Sequence, residues 1–195
     1  MTSGADPVTA AGDPTAPVLW ITGLSGSGKS TLARSVVQAL RAEGWRPLLL
    51  DGDSVRDAFE PSQQAADHRP ALRAERSWRL ARLAHLAAAQ GVPVVVATIS
   101  LLHAVQAWNR DRNARYGEVL LQAELAVLRR RKPALYGSAD APAPPDVVGL
   151  DIPAEYPLRP DLVLQQRFVQ EDLPRHRDEV LGLWRHLLQA QEHRA

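Results

Sequence analysis

The chain has 195 residues, 45% of them hydrophobic, with 23 Lys and Arg against 22 Asp and Glu. That length and apolar content suit one α/β domain with a packed core, and a formal net charge of +1 argues against a dedicated nucleic-acid binder, which carries a clear basic excess. The absence of cysteine excludes disulfides, zinc knuckles and a thiol nucleophile, and no window reaches the ~18 continuous apolar residues of a membrane span.

Residues 1–16 are rich in Pro, Gly, Ala and Thr and lack both the basic and the apolar region of a secretory signal. They read as a disordered leader to a single domain over 17–195, expected in the cytoplasm. The apolar run at 18–22 predicts a buried strand. After a glycine-rich loop, Leu32, Val36 and Leu40 recur at helical spacing until Gly44. Residues 47–51 predict a second strand ending in a carboxylate, and 71–90 an Ala/Leu/Arg helix closed by Gly91. The unbroken hydrophobicity of 92–99 fits a strand covered on both faces. A polar helix at about 102–115, a strand at 118–122 and a helix through Arg131 follow. Residues 132–150 hold too much Pro and Gly for regular structure and read as a mobile lid, before a strand at 161–165 and an amphipathic helix at 172–191. Strands alternating with helices predict an α/β fold with a mostly parallel sheet wrapped on both sides in three layers, with ligands at the carboxyl ends of the strands.

The loop GLSGSGKST, residues 23–31, satisfies G-x-x-x-x-G-K-[ST] without departure. Gly23, Gly26 and Gly28, with Ser25 and Ser27 between them, let backbone amides curl around phosphate oxygens at a helix N-terminus. Lys29 would reach the β- and γ-phosphates and Ser30 would ligate Mg²⁺. No N-K-x-D stretch is present to read guanine, and no strand ends in the D-E pair of many ATPases, so a small-molecule kinase using ATP leads. Beyond the second strand, LDGDSVR sets Asp51 and Asp53 on either side of a glycine, where one carboxylate, either of the two, can orient an acceptor hydroxyl while the other holds a metal-bound water. Arg56 can pair with an anionic group of the acceptor. D-G-D is also a common surface turn, and its place beside an intact phosphate loop favours the functional reading. The intact Lys29, Ser30 and aspartates speak against a non-catalytic, nucleotide-gated interaction protein.

Taken together, GLSGSGKST, LDGDSVR, the arginine-bearing helix 71–90 and VVVATIS resemble the adenylylsulfate (APS) kinase family from about residue 17 to 165. The resemblance implies a P-loop kinase fold, transfer of the ATP γ-phosphoryl group to the 3′-hydroxyl of adenylylsulfate, a mobile lid and a homodimer. It further implies that Thr31 joins Lys29 and Ser30 in the ATP grip, and that Asp51 and Asp53 lie near the acceptor hydroxyl and Mg²⁺, with Asp53 and Ser30 toward the metal. It also implies that Arg56 and Arg73 contact the acceptor nucleotide, that Ser100 lies at that site, and that Arg131 lies near the ATP base. The acceptor side departs from the family pattern. Arg76 stands where the family has an asparagine, His68 where it has a stacking phenylalanine, and Leu101 and Leu102 follow Ser100 in place of a proline and an aromatic. Beyond KPALYG the lid is an Ala/Pro stretch without lysine. An acceptor other than adenylylsulfate, a different nucleotide or a specialised metabolite, is therefore the alternative.

Overall fold

A computed structural model describes residues 16–60, 69–138 and 141–189. Its centre is a five-stranded, fully parallel sheet of order β2-β3-β1-β4-β5, built from β1 (Val18–Thr22), β2 (Leu48–Asp51), β3 (Val94–Ala97), β4 (Tyr116–Gln122) and β5 (Leu162–Gln165). Between and after the strands run α1 (Lys29–Ala42), α2 (Gly52–Phe59), α3 (Pro70–Ala88), α4 (His103–Arg112), α5 (Leu125–Arg131), the single turn α6 (Pro133–Tyr136) and α7 (Asp172–Gln189). Among the described residues, no helix is long and apolar enough to cross a membrane.

The strand pleat sorts side chains between two cores. Leu19, Ile21, Val95 and Val119 face α1 and α7, where Leu32, Val36, Val180 and Trp184 cover them. Val18, Trp20, Val94 and Val96 face the other way, toward α3 and α4, and meet Leu80, Ala84 and Val105. Both faces of β1 are thus apolar, which is why its sequence shows a continuous run and no alternation. The parallel register pairs Ile21 with Ala97 and Asp51 with Ala97, bringing the carboxyl ends of three strands level.

Several boundaries differ from the sequence expectation. The run 92–99 supplies only four strand residues, Val94–Ala97, since Val92 belongs to the turn after α3. The strand expected from 118 begins at Tyr116, and the helix expected to 115 stops at Arg112, where Asn113 takes an extended conformation. D-G-D is not a surface turn: Asp51 caps α2, accepting the Asp53 amide at 3.1 Å. The segment 132–150 is not wholly irregular, for it contains α6, and a β-bridge joins Val148 to Ile152 just past it. The leader over 1–16 falls outside the described residues except for Ala16.

Candidate active site

A cavity of about 540 Å³ opens at the carboxyl ends of β1, β2 and β3. One wall is the phosphate loop. Gly26 and Gly28 hold left-handed φ values of 80° and 98°, which spare them the cost a side chain would bring. Gly23 has φ 148° and sits so close to β4 that a Cβ there would meet the Leu121 carbonyl oxygen at 2.2 Å. Ser27 is buried in the loop, its Oγ without a hydrogen-bond partner. Lys29 opens α1, and its Nζ donates to the Leu24 carbonyl at 2.7 Å, folded onto the loop. Burial pushes the ammonium down to about 8, helped by Lys132 and opposed by Asp53 and Asp51. Ser30 and Thr31 line the same cavity.

Opposite stand the ends of β2 and β3. Asp51 is buried, with the Arg34 guanidinium 3.9 Å from its Oδ2. Asp53 is 78% exposed and accepts from Arg56 Nη1 at 2.8 Å. Gly52 between them lets α2 start hard against β3, where a Cβ would meet Thr98 Oγ1 at 3.2 Å. Ser100 is buried with an unpartnered Oγ, beside Leu101 in the cavity wall.

The arginines of α3 are less simply arranged than their sequence suggests. Arg76 lines the cavity but is held from behind by Glu60, with Nε at 3.0 Å from both carboxylate oxygens and Nη2 at 2.6 Å from Oε2. Arg79 shares the same carboxylate at 3.0 Å, so it is a strut between α2 and α3. Hydrogen bonds from Arg76 hold the Glu60 carboxyl below its usual range. Arg73 donates to the Asp146 carbonyl oxygen, fastening the turn at 146–152 across the opening. The start of the 132–150 segment rests on the phosphate loop. Tyr136 donates its hydroxyl to the Ser25 carbonyl at 2.8 Å, and Lys132 reaches Ser25 Oγ at 3.4 Å. His68 lies outside the described residues.

The structure therefore gathers the grip, both aspartates, Arg56, Arg73, Arg76, Ser100, Leu101 and Arg131 around one space. Sequence reasoning missed Glu60, Lys132, Tyr136 and Asp146. Glu60 and Asp146 carried no local signal, whereas Lys132 follows directly on the predicted site residue Arg131.

Comparison with known proteins agrees with this geometry. The family model described as adenylylsulphate kinase matches residues 15–165. An adenylyl-sulfate kinase of Yersinia pestis is 40% identical over 153 residues, 76% of this chain and 70% of that protein. One of Bacillus velezensis is 34% identical over 150 residues, 75% of each. The structure of the Mycobacterium tuberculosis APS kinase CysC in complex with AMPPNP and APS aligns with a TM-score of 0.74 at 34% identity, over 88% of this chain and 98% of that one. With a phosphate loop, a carboxylate-ended β2 and a family match spanning most of its length, the chain belongs to the adenylylsulphate kinase family.

Proposed function

We propose that this protein transfers the γ-phosphoryl group of ATP to the 3′-hydroxyl of adenylylsulfate, giving 3′-phosphoadenylylsulfate and ADP. The observation that carries the reading is the meeting of Lys29, Ser30 and the Asp51–Asp53 pair in one cavity whose far wall holds Arg56, Arg73 and Arg76. Donor and acceptor sites thus share one space, as in-line transfer requires. Lys29 would exchange the Leu24 carbonyl for a phosphate oxygen. One aspartate orients the acceptor hydroxyl and takes its proton as the oxygen attacks phosphorus, while the bond to the β-phosphate oxygen breaks.

Mg²⁺ fits the residues present. Among the described residues no three His, Cys, Asp or Glu form a cage, but Mg²⁺ with nucleotide needs only one or two protein oxygens besides phosphates and water. Ser30 and Asp53 would supply them, and the bound ion neutralises phosphate charge. Arg56 and Arg73 hold the anionic part of the acceptor, and the segment 132–150 excludes water that would otherwise hydrolyse ATP. The family resemblance supports a homodimer as the working assembly. A second reading, another anionic hydroxyl acceptor, is favoured by the Glu60 clamp on Arg76 and by the aliphatic wall of Leu101, Leu102 and Val147.

The test is ADP release from Mg·ATP across a panel of hydroxylated nucleotides. Turnover with adenylylsulfate at roughly 1–100 per second is expected, and turnover only with another acceptor would select the second reading. Asp51→Asn and Asp53→Asn, made singly, should each lower that turnover, the larger loss marking the residue that orients the hydroxyl. If neither change lowers it, the carboxylate role is wrong.

A further inference from the structure

The loop after β5 carries an aromatic ring in a conformation that needs explaining. Phe168 has φ 63°, a left-handed backbone that is unfavourable for a residue with a Cβ and persists only where its surroundings enforce it. They do so here. Asp172, whose side chain is 1% exposed, accepts the amides of Arg167 at 2.7 Å and Val169 at 3.3 Å, on either side of Phe168. The same carboxylate pairs with Arg167 at 3.2 Å and Arg175 at 3.1 Å. Gln166 Oε1 accepts the Phe168 amide at 3.4 Å.

The outcome is a stack. The Arg131 guanidinium lies 3.9 Å from the centroid of the Phe168 ring, and the ring packs against the cluster that contains Leu128 and Tyr136. Arg131 ends α5 and lines the cavity. Its neighbour Lys132 lays its methylenes over Gly26, and the Gln166 side chain lies beside Gly28, so the stack flanks the phosphate cradle. An exposed arginine ordinarily loses rotamer freedom when it is fixed on a ligand. A ring beneath one face of the guanidinium removes part of that loss in advance and leaves a flat, charged plane for a second π-system.

We propose that Phe168 is a positioning residue for the donor nucleotide: it holds Arg131 as the platform on which the purine base stacks. This rests on the reading of the cavity as an ATP site. A stacked base contributes on the order of 1–3 kcal/mol, and inorganic tripolyphosphate, which has no base, gains none of it. The two ligands therefore separate stacking from a general loosening of the loop.

The experiment is calorimetric titration of the full chain with Mg·ATP and with Mg·tripolyphosphate, for the wild type, Phe168→Leu and Phe168→Trp. Leucine keeps apolar bulk at the site, which alanine would remove. Phe168→Leu should weaken ATP about tenfold, raise the KM for ATP in step, and leave tripolyphosphate affinity within about twofold. Phe168→Trp should restore ATP. The inference is overturned if Phe168→Leu leaves ATP affinity unchanged, if it weakens both ligands alike, or if tryptophan does no better than leucine. Wild-type protein that binds ATP no more tightly than tripolyphosphate overturns it as well, without touching the phosphate grip. Wild-type protein that binds neither overturns the donor site itself.

Discussion

Lys29 shows how a single residue ties burial to chemistry. Under the proposed function its ammonium must be charged to hold phosphate, yet burial pushes its pKa to about 8, well below the 10.5 of an exposed lysine. A bound triphosphate reverses that shift, so nucleotide binding near pH 8 should draw about half a proton onto each site. Calorimetry of Mg·ATP binding in buffers of different ionisation heat reads this uptake, and a value of zero from pH 7 to 9 would contradict it. The stability linkage has the opposite sense to a salt-bridged lysine. Between about 8 and 10.5 the unfolded chain holds the proton and the folded chain does not, so this residue favours folding more as pH rises through that window. The grip was legible in the sequence because a tight turn is specified by contiguous residues. Glu60 and Phe168 were not, because their partners Arg76 and Arg131 lie 16 and 37 positions away and only the fold brings them together.

At the scale of elements, the junction between β5 and α7 has the most at stake in one carboxylate. Asp172 begins α7, where a negative charge suits the helix dipole, and it satisfies two loop amides and two guanidinium groups at once. Burial raises its pKa, but hydrogen bonds from Arg167 and Val169 outweigh that and hold it below 3.8. Its stabilisation is present above the unfolded value and is lost as pH falls through the still lower folded value. Asp172→Ala should cost ~2–4 kcal/mol in denaturant unfolding at pH 7, and the difference from wild type should shrink toward pH 3; a cost below ~0.5 kcal/mol would show the cluster to be dispensable. Other elements were readable to different degrees. The strands were legible from their apolar runs, though 92–99 overran its ladder because a turn and a strand can share the same aliphatic residues. Helix α2 was hidden because Gly-Asp-Ser is turn-like in composition, and what makes it a helix start is the capping carboxylate of Asp51.

For the whole molecule, two cores clamp one parallel sheet, and the order β2-β3-β1-β4-β5 puts β1 at its centre. The loop leaving β1 and the ends of β2 and β3 therefore face a common crevice, the place where such sheets bind ligands. That much followed from strand and helix alternation. The closing of the crevice did not, since it depends on long-range contacts: Tyr136 and Lys132 on Ser25, and Arg73 on the Asp146 carbonyl. The glycine-rich loop and the carboxylates of Asp51 and Asp53 line one cavity, and under the proposed function its central consequence is transfer rather than hydrolysis. The most direct measurement is identification of the product by phosphorus NMR after incubation with Mg·ATP and adenylylsulfate. The account predicts a new 3′-phosphomonoester on adenylylsulfate in equal amount to ADP, with little inorganic phosphate. ADP matched instead by inorganic phosphate, with adenylylsulfate unchanged, would contradict it.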